Sequence, residues 1–218
     1  MKRAVILLSG GLDSATTLYL ARKKGFKCFC LIFNYGQRHL REIESAKRIA
    51  QSAKCPYKVI DLSFPWKGSS LLDKKIRVRS HKSQVTSKIP STYVPGRNIV
   101  FLSFALSYAE AIRAQAVYIG AHAQDYSGYP DCRPEFFSAF ERMVACGTKS
   151  GVEGKRIKIL TPLVNKNKAA IIRLGKGLGV PFELTWSCYK GRAKPCGVCD
   201  SCYFRAKGFK EAGIKDER

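Results

Sequence analysis

A chain of 218 residues with 45% apolar content suits one α/β domain with a real core and a small appendage. No apolar run approaches the roughly 18 residues of a membrane helix, and Met1-Lys2-Arg3 leads into neither a signal-peptide core nor a small-residue cleavage site, so a cytoplasmic protein without a membrane partner is expected. The formal charge of +23, from 39 basic and 16 acidic residues, raises nucleic-acid binding; the basic residues are dispersed, loosely concentrated over 67–88 and not interleaved with aromatics, which favours a positive surface around an anionic small molecule, or adaptation to a hot or salty cell.

In chain order, residues 4–8 form an apolar run predicted as a buried strand, and 15–24 carry Ala15, Leu18, Tyr19 and Ala21 at helical spacing. Between them Ser9-Gly10-Gly11-Leu12-Asp13-Ser14 makes a strand-to-helix turn. Two glycines let the backbone curl, aiming N–H groups and a helix N-terminus at one point, an anion site. Asp13 adds a partner for a cation, and Ser9 and Ser14 add hydroxyl donors. A glycine pair with a serine cap also serves ordinary strand–helix loops; the position after the first strand favours a phosphate ligand. The spacing matches neither G-x-x-x-x-G-K-[ST] nor G-x-G-x-x-G.

Further strands are predicted over 28–33, 57–62, 116–121 and 157–160. Helices are predicted over 38–53 (Ile43, Ala46, Ile49, Ala50), 98–114 (Ile99, Leu102, Ala105, Leu106, Ala109 on the buried face) and 166–178 (Ala169, Ile172, Leu174, Leu178). This alternation predicts a doubly wound, Rossmann-like parallel α/β sheet of about five strands with ligands at the strands' carboxyl ends. Cys28 and Cys30 share one strand face as small buried hydrophobes. Residues 65–95, rich in Ser, Lys and Arg, are expected to be a flexible flap over bound ligand. The division expected is 1–184 for the α/β domain and 185–218 for a cysteine module with a short helix over 203–212.

Nine cysteines in an intracellular chain point to thiols. Cys188-x7-Cys196-x2-Cys199-x2-Cys202 supplies the four thiolates of a closed, structural zinc site, one ion per chain, whose binding becomes folding energy for the tail. An iron–sulfur cluster is the rival, because C-x2-C-x2-C occurs in ferredoxins. Its fourth ligand would lie downstream before a proline, whereas Tyr203-Phe204-Arg205 follows Cys202.

Taken alone, the Ser9–Ser14 segment resembles the pyrophosphate loop S-G-G-x-D-S of ATP pyrophosphatases. Together with Tyr35-Gly36-Gln37-Arg38-His39, Tyr93-Val94-Pro95-Gly96-Arg97-Asn98, the block from Asp125 to Phe136, Thr185-Trp186-Ser187-Cys188-Tyr189 and the cysteine cluster, it resembles the family of 7-cyano-7-deazaguanine synthases over nearly the whole chain. Asn34 stands where members often carry Asp.

The resemblance implies an adenine nucleotide α-hydrolase type of fold and a homodimer. It implies a C–N ligase that uses ATP, with Mg²⁺, and ammonia to turn 7-carboxy-7-deazaguanine into a nitrile for queuosine or archaeosine. Asp13, Ser14, Arg97 and Arg133 are then the catalytic candidates, the two arginines as fork donors for phosphate or carboxylate. Nucleotide binding falls to Leu8, Ser9, Gly10, Gly11, Leu12, Asp13, Ser14, Ala15, Thr16, Thr17, Leu18 and Lys168. Substrate binding falls to Gln37, Arg38, Arg97, Asn98, Asp125, Ser127, Gly128, Tyr129, Asp131 and Arg133, with Tyr126 a further stacking candidate. Cys132 is read as bystander or wall, and His39 and His122 as proton carriers or structural histidines. A tRNA-modifying ATP pyrophosphatase and a non-catalytic nucleotide sensor are the alternatives.

Overall fold

The computed structural model describes residues 1–37, 40–73, 75–78, 89–122, 128–191 and 193–218. Five parallel strands carry it: β1 (Arg3–Leu7), β2 (Lys27–Asn34), β3 (Tyr57–Asp61), β4 (Ala116–Tyr118) and β5 (Lys158–Leu160), in the order β3-β2-β1-β4-β5. Continuous apolar runs such as Ala4–Leu7 are what a strand covered on both faces requires. Strand order reverses beside β1, so the crevice at the carboxyl end of β1 is the fold's natural ligand position.

Helices α1 (Leu12–Lys23), α2 (Arg41–Ser52), α3 (Arg97–Ala111), α4 (Pro134–Gly147), α5 (Lys149–Val152), α6 (Lys168–Gly177) and α7 (Asp200–Ala212) cover the sheet. One core layer joins α1, α2 and α6 to one face through Leu18, Ile49 and Ile172; the other joins α3 and α4 to the opposite face through Leu102, Val117 and Phe140. Cys28 and Cys30 are buried in the first layer, as expected of small hydrophobes.

Two expectations are corrected and one helix is added. Ile99 is 47% exposed, and Asn98 takes its place on the buried face of α3. Asn98 lies four residues before Leu102, one turn along the same stripe, while Ile99 is rotated about 100° outward. Helix α4 had no counterpart in the sequence reading. Its Pro134 sits at the first helical position, where the missing N–H costs nothing. The strand expected to reach residue 121 ends at Tyr118, because the chain then turns Gly120 against the backbone of Asp13 and Ser14.

Parts of the expected 65–95 flap lie outside the described residues. Its described ends are packed: Leu71 and Val94 join the core, and Ser70 N–H donates to Ser91 O at 2.8 Å. The cysteine segment is stitched to the α/β domain, with Trp186 N–H donating to Gly10 O at 2.9 Å. No described helix is long and apolar enough to cross a membrane.

Candidate active site and metal centre

The loop from β1 into α1 is held by its own serines. Ser14 Oγ accepts from Ser9 N–H at 3.2 Å and donates to Gly11 O at 3.0 Å, while Ser9 Oγ lies 3.1 Å from Ser14 Oγ. The two glycines serve different ends. Gly10 has φ +83°, and a Cβ there would run into the backbone of Glu42 and Ala46, so this position is fixed by the packing of α2 on the loop. At Gly11 (φ −79°) a Cβ would meet only Ser9 Oγ at 3.5 Å and Trp186 O at 3.8 Å. Its bareness therefore leaves room for a ligand. Gly11→Val should keep its melting temperature within a few degrees yet bind ATP at least tenfold more weakly by calorimetry; unchanged affinity would show that the ligand lies elsewhere.

A cavity of about 260 Å³ opens over this loop. Leu8, Ser9, Gly11, Leu12, Asp13, Ser14 and Lys168 line it from the nucleotide set, and Gln37, Arg97, Asn98 and Tyr129 from the substrate set. Lys168 opens α6, whose N-cap Asn167 accepts from Ala170 N–H at 2.9 Å. Lys168 Nζ donates to both oxygens of Asp13, at 2.8 and 2.9 Å, and lies 2.8 Å from His122 Nε2. Burial alone would raise the Asp13 carboxyl pKa; the Lys168 charge, then His122, hold it below the usual carboxylate range. A fixed ammonium thus faces the mouth of the anion loop.

Gly208 of α7 explains how Lys168 is aimed. A Cβ at that position would strike Lys168 Cγ and come within 3.0 Å of Lys168 Cβ and Ile172 Cδ1. Gly208→Ala should cut kcat at least fivefold while leaving the sheet intact by circular dichroism; full activity would mean that the lysine stem shifts freely.

Arg97 follows Gly96, whose φ of +64° turns the chain into α3. Its guanidinium donates to Tyr35 Oη at 3.3 Å and rests 5.9 Å above the Phe101 ring. Gln37 Oε1 accepts from Tyr35 N–H at 2.8 Å, and Gln37 Nε2 donates to Phe33 O at 3.2 Å. Tyr129 Oη lies 2.6 Å from Thr92 Oγ1. Glu42, in the first turn of α2, faces the same cavity.

Other candidates are not brought to the cavity. Asp131 is buried and accepts from Asn98 N–H at 3.0 Å, so it caps α3 instead of facing a ligand. Arg133 is exposed at the N-cap of α4. Ala15, Thr16, Thr17 and Leu18 are buried on α1 outside the cavity lining, and Thr16 Oγ1 donates to Leu12 O at 2.9 Å. Gly10 shapes the loop from behind, and half-buried Gly128 is outside the lining. Arg38, His39, Asp125, Tyr126 and Ser127 lie outside the described residues. Asn34 Nδ2 donates to Asp61 Oδ1 at 2.7 Å, which ties the ends of β2 and β3 together.

The four sulfurs of Cys188, Cys196, Cys199 and Cys202 lie within 4.8 Å of one another. A tetrahedral ion with bonds of about 2.3 Å to sulfur needs its thiolates just under about 4 Å apart, so the set fits a metal ion. Backbone N–H groups already point at the sulfurs: Cys196 and Lys190 donate to Cys188 Sγ at 3.3 and 3.4 Å, and Cys199 N–H to Cys196 Sγ at 3.4 Å. Such donors favour thiolate. Val78, from the middle of the 65–95 segment, and Trp186 cover the cluster. Arg205 of α7, 2% exposed, donates to both oxygens of Asp216 at 2.7 and 2.8 Å and to Thr185 Oγ1 at 2.6 Å. Ser201, Phe204 and Arg205 also wall the cavity, so the cysteine segment completes the site.

His122, Glu42, Trp186 and Arg205 were not singled out as site residues by sequence reasoning. His122 was weighed as a proton carrier or a structural histidine, and Trp186 stood in the Thr185–Tyr189 motif without a role; nothing local marks Glu42 or Arg205.

A family model described as queuosine biosynthesis protein QueC matches residues 3–213. The chain is 53% identical over 217 residues to 7-cyano-7-deazaguanine synthase of Acetivibrio thermocellus, covering 99% of this chain and 96% of that one. It is 52% identical over 220 residues to the enzyme of the same name from Methylococcus capsulatus, covering 99% and 97%. The structure of NMN synthetase from Francisella tularensis is similar in fold, with TM-score 0.53 at 17% identity, over 98% of this chain and 78% of that one. A match over almost every residue, with the anion loop and the four-cysteine cluster in place, leaves one assignment: the chain belongs to the QueC family of queuosine biosynthesis proteins.

Proposed function

We infer that the chain is a 7-cyano-7-deazaguanine synthase, a carbon–nitrogen ligase that converts 7-carboxy-7-deazaguanine and ammonia to the nitrile at the expense of ATP. The observation that carries this reading is a glycine anion loop faced by the Lys168 ammonium inside a cavity that also holds Arg97. It joins 53% and 52% identity, over 99% of this chain, to relatives of that name.

The chemistry follows from the substrate. A carboxylate conjugated to an electron-rich ring is a poor electrophile, so its oxygen must first become part of a leaving group. The acid oxygen attacks the α-phosphorus of ATP; the bond to the β-phosphate bridging oxygen breaks, and pyrophosphate departs into the loop. Charge grows on that pyrophosphate, and the N–H groups of the loop, with Lys168, are the donors placed to meet it. Ammonia then displaces AMP to give the amide. In a second round the amide oxygen takes an adenylyl group, and loss of AMP with the N–H protons leaves the nitrile, so two ATP are used per product. Arg97 is the fork donor suited to the substrate carboxylate or an α-phosphate oxygen.

Zinc is the proposed occupant of the four-cysteine site, in a structural role, because a closed set of four thiolates leaves no position for a reactant. Magnesium would accompany the nucleotide and neutralise phosphate charge. Asp13 is the residue that would meet it, through lone pairs left over from Lys168. A cytoplasmic homodimer completes the reading on family likeness, checked by sedimentation. Incubation with ATP, Mg²⁺, ammonium and 7-carboxy-7-deazaguanine tests the whole: two AMP per nitrile are expected, and failure to form the nitrile would refute the substrate.

A further inference from the structure

The nitrogen donor, like ATP and the carboxylate, needs residues of its own in the cavity. The following rests on the reading above, in which a C–N bond forms on an adenylated carboxyl group. A nitrogen donor supplied as ammonium needs two things from a site: an anion to receive it and a base to take its proton. Among the described residues two carboxylates line the cavity, Asp13 and Glu42. Both oxygens of Asp13 are already engaged by Lys168. Glu42 is half-buried, and its carboxylate takes no hydrogen bond from a described residue.

Its position is set by the loop itself. Because Gly10 lacks a side chain, the backbone of Glu42 and Ala46 packs directly on the anion loop, and Ile43 anchors the same turn in the core. The carboxyl therefore stands in the chamber where the adenylate forms. We propose that Glu42 is a catalytic residue that receives ammonium in this cavity and removes its proton, delivering ammonia to the adenylated carboxyl carbon.

In that step one N–H bond of ammonium breaks and an O–H bond forms on Glu42. The freed lone pair makes the C–N bond, and the C–O bond to AMP breaks with its electron pair leaving on AMP. The nitrogen sheds a further proton to water, and Glu42 later returns its own. The groups facing Glu42 are Arg97 of α3 and Tyr35 beyond β2. Burial pushes the Glu42 pKa up to about 7, with Arg97 offsetting part of the rise. A base poised near neutrality suits the task, since ammonium, like a lysine head group, holds its proton to about pH 9–10.

The test compares wild type with Glu42→Gln and Glu42→Asp in two assays: exchange of labelled pyrophosphate into ATP driven by the carboxylate without ammonium, and steady-state amide formation against total ammonium. For Glu42→Gln, exchange is expected to stay within threefold of wild type while the KM for ammonium at pH 7 rises at least tenfold. That deficit should close towards pH 9, where free ammonia is abundant, and Glu42→Asp should recover part of it. Loss of exchange in step with amide formation, an unchanged KM, or a deficit constant with pH would overturn the proposal. Absence of exchange in the wild-type enzyme would instead bring down the adenylation reading, and this proposal with it.

Discussion

Lys168→Met is expected to lower kcat/KM by about 10²–10³, the cost of removing one preorganised donor from developing negative charge. The methionine keeps the unbranched stem that fits against Gly208 and deletes the charge that faces the loop. The Asp13 carboxylate would then be left partly buried beside His122 without its ammonium partner. Its lowered pKa in the wild type means that the pair stabilises the fold above the unfolded pKa of about 3.9 and that this contribution fades as pH falls through the folded value. The stability gap between wild type and variant in urea should therefore be present at pH 7 and shrink on acidification. Activity within twofold of wild type would mean that Lys168 serves only to hold Asp13.

Emptying the four-cysteine site of its proposed zinc is expected to be the larger insult to stability. Small metal modules couple about 10 kcal/mol or more of binding energy to folding. Here part of the tail is held by the Arg205–Asp216 pair and by Phe209 in the core, so a smaller loss of about 3–5 kcal/mol is expected, or about 6–20 °C in melting temperature for a chain of this size. Chelation or Cys202→Ser should produce it, with turnover lost in parallel because Phe204 and Arg205 wall the cavity and Gly208 aims Lys168. Lost turnover at an unchanged melting temperature would assign the metal to the chemistry instead. A colourless protein with one zinc per chain is expected by elemental analysis, and absorption near 400 nm would mark an iron–sulfur cluster.

The sheet was legible because its central strands carry continuous apolar runs, and the anion loop because its glycines sit between a strand and a helix. Helix α4 was not, since Pro130-Asp131-Cys132-Arg133-Pro134 reads as loop when the proline at the first helical position is taken as a breaker. The pairing of Asp13 with Lys168 spans 155 residues and leaves no local trace, so Lys168 could be suspected only from its place after a loop. Asp131 misled for a related reason: a carboxylate in a motif-rich loop looks available for a ligand, yet the buried N–H of Asn98 claims it. The packing of α2 on Gly10, which brings Glu42 to the site, is a contact between backbones and carries no side-chain signature.

Every role assigned to the site follows from which bond of ATP is cut over the glycine loop. With ATP labelled at the β and γ phosphates and 7-carboxy-7-deazaguanine present, the label should appear as pyrophosphate, in step with AMP. Appearance of labelled ADP with inorganic phosphate would contradict the adenylation on which every assigned role depends.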